Sequence, residues 1–225
     1  MSAQDAMHED GEWITKLPAF DRPRVRFYEW ERKSITYGHF IDPDKWLAQK
    51  KVKLLGFDTA RRPTGGGLIF HYADFSYTVA VPIHHPKCSQ TVLDNYHLVN
   101  SALLEAISSI SGAFSLQAAS DARGTFTELC MATATQYDLI YAGRKLGGSA
   151  QRKTTGGFVH QGTLFLAPPN WEEMEEVLRM PKEAIEAMKG CSGALCNNDI
   201  SKQELFELRH KLKQAFRAAL NTKLY

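Results

Sequence analysis

In several segments of this chain, apolar and polar positions follow the two-residue period of β-strands. Residues 75–81 place two aromatic rings and two valines on one side of the backbone, and serine, threonine and alanine on the other. Residues 25–30 and 34–38 are rich in aromatic and β-branched residues, which favour strands. Two further apolar runs, residues 139–142 and 158–166, predict strands on either side of a glycine-rich loop.

Other segments have the spacing of helices. Apolar residues between positions 91 and 110 recur every three or four residues, which predicts one long helix. The C-terminal segment carries a single apolar stripe, and Ser201 with Glu204 forms a capping-box pattern at its start. A shorter helix is predicted for residues 45–54, and Asn170 marks the start of another.

The remaining segments are predicted to be less regular. Residues 1–22 are polar and end near two prolines, which predicts a lead with one or two helical turns at most. Residues 147–157 contain four glycines and are predicted to form a loop. Because predicted strands and helices alternate without a linker or repeat, we expect one α/β domain of the α+β type. It spans residues 1–225, with no separate C-terminal accessory domain.

Composition excludes several classes of function. The net charge of +2 gives little general attraction to nucleic acid, and no apolar run approaches the ~20 residues of a membrane span. The N-terminus is polar and acidic and lacks the apolar core of a signal peptide. The four cysteines show no regular spacing, and no nearby Cys or His pair completes a zinc set with Cys191 and Cys196. We therefore expect a cytoplasmic protein with reduced thiols and no metal site, which binds neither nucleic acid nor membrane.

Candidate chemistry first appears in residues 61–71, Arg-Arg-Pro-Thr-Gly-Gly-Gly-Leu-Ile-Phe-His. Glycines let a ligand approach the main chain closely, and successive free N–H groups can form a nest for an anion. Arg61 and Arg62 add forked positive charge suited to phosphate or carboxylate, and no acid lies between Thr59 and Ala73. These residues alone fit either an anion or nucleotide site or a plain hairpin loop.

A second glycine-rich stretch, residues 143–152, reads Gly-Arg-Lys-Leu-Gly-Gly-Ser-Ala-Gln-Arg and is also free of acidic residues. Lys145 precedes a tight turn of small residues. There it could neutralise a phosphate or polarise a carbonyl, or it could be a solvated turn lysine. In the apolar run that follows, Gly162 interrupts the strand pattern, which often marks the close approach of a ligand or of backbone.

These motifs resemble those of the lipoate/octanoate–protein ligases and transferases, relatives of biotin–protein ligase. The resemblance rests on residues 61–71, on residues 143–152 and on His-Gln-Gly-Thr-Leu-Phe-Leu at residues 160–166, in the order that the family has. Residues 26–30 are similar to the family's early strand, and residues 2–7 to the end of its first helix.

The resemblance implies both a fold and a reaction. The implied fold is a mixed central sheet flanked by helices, of the class II synthetase and biotin–lipoate ligase type. The implied reaction places an octanoyl or lipoyl group on the ε-amine of one lysine in a lipoyl carrier domain. Such domains occur in dehydrogenase E2 subunits and in the glycine cleavage H protein.

The resemblance also implies roles for individual residues. Lys145 would contact the acyl carbonyl or its phosphate leaving group. The first motif would line the acyl and nucleotide or thioester site, and the other two motifs would form the facing wall. The implied site residues are Arg61, Arg62, Thr64, Gly65, Gly66, Gly67 and His71 on one side, and Gly148, Ser149, Ala150, His160, Gly162 and Thr163 on the other.

Two routes to the same product follow from the resemblance. In a lipoate–protein ligase, ATP and lipoate or octanoate form an acyl-adenylate, with magnesium screening the triphosphate, before the carrier lysine attacks. In a cysteine-type octanoyltransferase, the octanoyl group passes from acyl carrier protein to an enzyme thiol and then to the carrier lysine, without a cofactor. Cys130 has the spacing of that nucleophile; the alternative is an inert buried thiol.

Two residues favour different routes. Gly67 resembles the ligases, because the cysteine-type transferases tend to have arginine at this position. Cys130 resembles the transferases, as does the expected lack of an accessory domain. The balance favours the ligase, with the transferase as the alternative. A second alternative is a non-catalytic family member that binds lipoyl domains, but the intact Lys145 and both glycine motifs argue against it.

Replacing the motif lysine tests the implied site. We expect Lys145→Ala to abolish acyl transfer to a lipoyl domain while leaving the fold intact, because the positive charge at the acyl carbonyl is lost. The intact mass of the carrier domain reports the transfer. A variant with near-normal turnover would remove Lys145 from the site.

Overall fold

The computed structural model describes residues 1–110, 112, 114–118 and 136–225. Helices and strands alternate along most of this length, as the residue pattern predicts. The described elements are, in chain order, α1 (Ala3–Lys16), β1 (Arg24–Phe27), β2 (Ser34–Tyr37), α2 (Pro43–Trp46), α3 (Gln49–Leu54), β3 (Asp58–Arg61), β4 (Leu68–His71), β5 (Asp74–Pro82), α4 (Val92–Ser108), β6 (Ser115–Leu116), β7 (Leu139–Tyr141), β8 (Arg144–Lys145), β9 (Gly147–Thr154), β10 (Gly157–Phe165), α5 (Trp171–Val177), α6 (Lys182–Cys191) and α7 (Lys202–Leu224).

The main sheet has the strand order β1-β5-β10-β9 and is antiparallel throughout. Its two inner strands, β5 and β10, are buried along their whole length, because helices and a second sheet cover its two faces. The predicted alternation in residues 75–81 is confirmed. The aromatic and valine side packs on α4 and α7, while Ser76 and Thr78 point to the opposite face.

Two smaller sheets complete the domain. In the sheet β3-β2-β4, strand β2 pairs parallel with β3 and antiparallel with β4. The third sheet, β6-β7-β8, is antiparallel. The predicted α/β class, with helices flanking the strands, is confirmed; the parallel pairing lies in the small sheet rather than in the main one.

The helix predicted for the N-terminus, one or two turns, was too short. Residues 3–16 form a regular helix, α1, which begins where the Ser2 side chain accepts a hydrogen bond from the Asp5 N–H. The buried stripe of α1 consists of Ala3, Ala6, Met7 and Asp10, at helical spacing. Small and charged side chains do not make a recognisable apolar stripe, so the sequence pattern did not indicate a helix of this length.

The prediction of a loop at residues 147–157 was wrong. Strand β9 occupies most of this range and pairs in register with β10. Because β9 lies at the edge of the main sheet, one side of it is solvated, and its small and polar residues lack the apolar pattern of an inner strand.

The other helix predictions were closer to the structure. The capping box of Ser201 with Glu204 opens α7, and the side chain of Asn170 caps α5, as predicted. The helix predicted for residues 45–54 is divided into α2 and α3, because Leu47 leaves the helix and forms a β-bridge with Leu178. No helix among residues 1–110 and 136–225 combines the length and apolar character that a membrane crossing requires.

A neutral histidine is built into the core between β10 and α4. The His160 side chain is fully buried, its ring stacks on Tyr77, and the edge of Tyr96 meets it at 5.0 Å. Its Nδ1 lies 3.4 Å from Oε1 of Gln151, and Nε2 has no hydrogen-bond partner among the described residues. Burial lowers the pKa of His160 to about 3 from its ordinary value near 6.5, so the ring stays neutral at physiological pH.

This histidine makes folding sensitive to acid. Between pH 6.5 and 3 the unfolded chain binds a proton that the folded chain excludes, so stability falls as the pH falls through this window. From pH 7 to pH 4.5 we expect His160 to cost roughly 2 kcal/mol. His160→Phe keeps the aromatic packing and should lessen the loss of unfolding free energy by about that amount.

Urea unfolding of both proteins at pH 7 and pH 4.5 provides the measurement, and His84→Phe at an exposed position is the control. Equal pH dependence in His160→Phe and the parent chain would show that His160 is protonated in the folded state.

Candidate functional site

The glycine-rich loop that joins β3 to β4 is fixed by a buried arginine. The guanidinium of Arg62 donates from Nη2 to the carbonyl oxygens of Gly65, at 3.1 Å, and Gly67, at 2.7 Å. Its Nη1 donates to Oγ1 of Thr36 at 3.0 Å, and the residue is only 6 % exposed. The sequence suggested that this fork faces an anionic ligand. In the structure its donors hold the loop instead.

From Arg62 the hydrogen bonds continue into a buried relay. Thr36 Oγ1 lies 2.8 Å from Nε2 of His71, and His71 Nδ1 lies 2.8 Å from Oδ2 of Asp74. Because Thr36 accepts from Arg62, its own proton is available to Nε2, which leaves the His71 proton on Nδ1 to donate to Asp74. Arg62, Thr36, His71 and Asp74 thus form one continuous chain of buried hydrogen bonds.

The relay ends on a carboxylate that stays ionised. Ser76 Oγ donates to Oδ2 of Asp74 at 2.6 Å, and Nε1 of Trp30 donates to it at 3.2 Å. Burial by itself would raise the pKa of Asp74, but the interaction with His71 and the hydrogen bonds from His71 and Ser76 outweigh it, so the pKa lies below its ordinary value. Asp74 therefore anchors β4 and the glycine loop to β5.

Arg61, the exposed arginine of the pair, also holds main chain. Its Nη1 donates to the carbonyl oxygens of His39 and Ile41, each at 2.7 Å, and its guanidinium lies over the ring of Tyr37. A Cβ added to Gly38 would lie 1.9 Å from the Gly66 carbonyl oxygen, so this close approach requires glycine. The turn after β2 therefore braces the loop from its outer side.

A second buried carboxylate supports the other end of the loop. Oδ1 of Asp10, on α1, accepts a hydrogen bond from the guanidinium of Arg26, and Oδ2 accepts from the hydroxyls of Tyr28 and Thr78 and from the Gln161 amide. Burial raises the pKa of Asp10 above its ordinary value, and the neighbouring Arg26 and the three side-chain donors offset only part of that effect.

The wall that faces the loop comes from neighbouring positions on β9 and β10. In the register of these strands, Gln161 pairs with Ala150, Gly162 with Ser149, and Thr163 with Gly148. The second and third sequence motifs therefore form one continuous patch of sheet. Thr163 is tied to β5 through its hydroxyl, which lies 2.8 Å from Oγ of Ser76.

Side-chain contacts join this wall to the glycine loop. The Thr64 hydroxyl donates to Oε1 of Gln161, whose amide nitrogen is already committed to Asp10. On the outer side, Nη1 of Arg152 donates to the Pro63 carbonyl oxygen at 3.1 Å. The structure therefore brings together the three motifs, which are separated by up to 100 residues in the chain.

Lys145 is buried against a carboxylate. Its Nζ lies 2.7 Å from Oδ2 of Asp138, and the two side chains are 6 % and 3 % exposed. Behind it, the Gly193 N–H donates to the Lys145 carbonyl oxygen at 2.8 Å. A Cβ added to Gly148 would lie 3.9 Å from Nζ and 3.6 Å from Cδ1 of Ile69, so the ammonium lies close to Gly148 on β9. Lys145 is therefore not a solvated turn lysine.

The structure adds residues that the motifs did not indicate. Asp10 is hidden in a helix without a clear apolar stripe, and Asp138 lies outside the second motif. The sequence could have indicated Gln161, because it is a polar residue inside an apolar strand. Cys130, the candidate nucleophile, lies outside the described residues. Among the residues that are described, no group of three His, Cys, Asp or Glu side chains could hold a metal ion.

The exposed part of the glycine loop is the place suited to an anion. Gly66 is exposed and has a φ of +85°, in the left-handed region that turns successive N–H groups toward one point. Nη1 and Nη2 of Arg62 bind Thr36 and the loop carbonyls, so the exposed main chain at Gly66 is the feature of this loop suited to an anion.

Comparisons with known proteins point to one family. The family model described as the lipoyl protein ligase A/B catalytic domain matches residues 3–202. The octanoyltransferase LipM of Staphylococcus epidermidis is 29% identical over 88% of this chain and 76% of its own.

Solved structures agree in fold. A lipoate-protein ligase A bound with ATP has a TM-score of 0.71 at 18% identity and covers 96% of this chain and 81% of its own. A bi-partite lipoate protein ligase from Thermoplasma acidophilum, studied with its E2 lipoyl domain, has a TM-score of 0.69 at 19% identity. It covers 98% of this chain and 81% of its own.

The buried ion pair changes what a single lysine replacement does. Lys145→Ala leaves the Asp138 carboxylate buried opposite a cavity, so we expect it to lower the free energy of unfolding by about 3–5 kcal/mol. The double variant Lys145→Met/Asp138→Asn removes both charges and should recover most of that loss. Urea denaturation of the three proteins measures the difference. Equal stability of Lys145→Ala and the parent chain would mean that the ion pair is not maintained in solution.

Proposed function

Because this chain belongs to the lipoyl protein ligase A/B catalytic domain family, we propose that it is an octanoyltransferase that moves an octanoyl group from acyl carrier protein to the lysine of a lipoyl carrier domain. The family and the named relatives together support an enzyme that transfers lipoyl or octanoyl groups. One observation carries the choice of route. The chain is 29% identical to an octanoyltransferase over 88% of its length, whereas the ligase structures share 18–19% and support the fold alone.

The first step of this proposal forms a thioester on the enzyme. The Cys130 thiolate attacks the carbonyl carbon of octanoyl-acyl carrier protein, a carbon–sulfur bond to Cys130 forms, and the bond to the carrier sulfur breaks. The carrier protein leaves as its thiolate and takes up a proton from solvent.

The second step forms the amide. The neutral ε-amine of the carrier lysine attacks the Cys130 thioester, the carbon–nitrogen bond forms, and the attacking nitrogen loses one proton. The bond to Cys130 then breaks and regenerates the thiolate. Each step passes through a tetrahedral oxyanion, so a fixed positive group at the carbonyl oxygen lowers both barriers.

Lys145 is the residue suited to that oxyanion. Its ammonium is buried, lies close to Gly148 and is paired with Asp138. A charge held in such a dry position stabilises an oxyanion better than a solvated lysine would. In this proposal the predicted loop and wall residues shape the acyl site and exclude water from it.

The ligase is the second candidate, and Gly67 is the observation that favours it. Arginine tends to stand at this position in cysteine-type transferases, whereas glycine leaves the loop open to a nucleotide. In that route the exposed main chain at Gly66 and the Lys145 ammonium would meet the phosphates of an acyl-adenylate. ATP and magnesium would then be co-substrates, and Cys130 would have no catalytic part.

The proposal extends to partners and location. The acceptors would be the lipoyl domains of dehydrogenase E2 subunits and the glycine cleavage H protein, in the cytoplasm. Residues 1–225 would carry the acyl site.

One assay separates the two routes. Purified protein and an apo lipoyl domain are mixed with octanoyl-acyl carrier protein alone, or with ATP, magnesium and lipoate or octanoate. Intact mass reports the acylated domain. We expect an octanoyl adduct with the carrier-protein donor and loss of that activity in Cys130→Ser, because serine is a much weaker nucleophile.

Cys196→Ser is the matched control, since Cys196 is a free thiol outside the proposed acyl site. Transfer that requires ATP and survives in Cys130→Ser would establish the ligase instead. No acylation with either donor would contradict both routes and leave the non-catalytic alternative.

A further inference from the structure

We propose that Asp138 is a positioning residue for Lys145, and that the buried amide of Asn100 sets where Asp138 stands. The inference rests on the proposed acyl transfer, by either route, because it assigns how the ammonium of that site is aimed. It draws on a turn, a hairpin and a helix that meet beside Lys145.

The turn before β7 has a strained backbone that is held in place. Tyr137 has a φ of +69°, a left-handed conformation that non-glycine residues rarely adopt. Nδ2 of Asn100 donates to the Tyr137 carbonyl oxygen at 3.0 Å. The main chain of Gln117 pairs with both residues of the turn, accepting from the Tyr137 N–H and donating to the Asp138 carbonyl, each at 2.8 Å. Such strain persists only where the surroundings impose it, and it clusters at functional sites.

The hairpin that follows fixes the lysine from the other side. Strands β7 and β8 pair Ile140 with Lys145, and the Leu146 N–H donates to the Leu139 carbonyl oxygen at 3.0 Å. The Gly193 N–H binds the Lys145 carbonyl from behind. Asp138 is therefore held at the start of one strand and Lys145 at the end of its neighbour, and their side chains meet at 2.7 Å.

Asn100 links this pair to the facing wall. The same Nδ2 that holds Tyr137 lies 3.2 Å from Oγ of Ser149, beside Gly148 on β9. One buried side chain of α4 thus fixes both the turn that carries Asp138 and the wall that the Lys145 ammonium faces. Moving Asn100 would change the distance between the ammonium and the acyl carbonyl.

Two phenols and one guanidinium are ionisable groups near the Lys145–Asp138 ion pair. Tyr77 on β5 and Tyr96 on α4 are the phenols nearby, and burial raises the pKa of Tyr77 well above its ordinary value, so Tyr77 is uncharged at neutral pH. Arg144, the neighbour of Lys145 on β8, is exposed. Asp138 is therefore the carboxylate that sets the direction in which Nζ points.

Three replacements at the turn separate charge from position. Asp138→Asn keeps the shape and removes the charge, and Asp138→Glu keeps the charge on a longer arm. Asn100→Leu keeps the bulk and releases the turn. Asn95→Leu is the matched control, because Asn95 is a buried amide on the same helix that holds the main chain of Ser89 instead.

The transfer assay is run at pH 8 with each variant, and kcat and KM for the lipoyl domain are measured separately. We expect Asp138→Asn to lose about 10- to 100-fold in kcat with little change in KM, because Nζ is no longer held at the acyl carbonyl. Asp138→Glu should also lower kcat, because the longer side chain shifts Nζ.

Asn100→Leu should lower kcat as Asp138→Asn does, whereas Asn95→Leu should keep the kcat of the parent chain. Adding Asp138→Asn to Lys145→Met should cost no further activity, because the residue it positions is already gone. If Asp138→Asn does not fold, Asp138→Glu and Asn100→Leu carry the test.

Different results contradict the proposed function and the positioning role. A parent chain that is inactive with both donors overturns the proposed function. An active parent with unchanged kcat in Asp138→Asn, or in Asp138→Glu and Asn100→Leu, overturns the positioning role.

Discussion

The site depends on the burial of one guanidinium. Arg62 lies inside the domain, where an arginine is tolerated only if its donors are used, and the main chain of the glycine loop supplies two of the acceptors. The loop and the arginine therefore fix each other. Because Arg62 is committed in this way, the proposed acyl site would rely on the Lys145 ammonium, rather than on an arginine fork, for positive charge at the reacting carbonyl.

Two buried carboxylates support the glycine loop from the polar face of β5. Asp74 receives the relay from Arg62 and is bound by Ser76, and Asp10 receives Gln161 and is bound by Thr78. Since Ser76 and Thr78 are two residues apart on the same face of β5, one strand orients both. The carboxylates differ in charge balance: burial dominates at Asp10 and raises its pKa, while partners dominate at Asp74 and lower its pKa. The polar face of β5 is thus the support of the site, although it lies outside the sequence motifs.

Periodicity recovers the elements that bury one continuous apolar side. Helices α4 and α7 and strand β5 were predicted because their stripes are made of large side chains. The helix α1 was predicted too short and the edge strand β9 was missed, because their buried positions are small, polar or charged, and only the tertiary neighbours show that they are buried. The motifs correctly indicated which segments converge. They could not indicate Asp138, because the pairing of β7 with β8 brings it to Lys145.

The hydrogen bond between Asp10 and Gln161 has a consequence for biosynthesis. These residues are 151 positions apart, and the carboxylate is made long before its amide partner. Before residue 161 is made, Asp10 can bind Arg26, Tyr28 and Thr78, but its link through Gln161 to Thr64 cannot form. The glycine loop therefore meets the β9–β10 wall late, after β10 has entered the sheet. Such long-range closure slows folding, and a nascent fragment carries the first motif without the wall that it contacts.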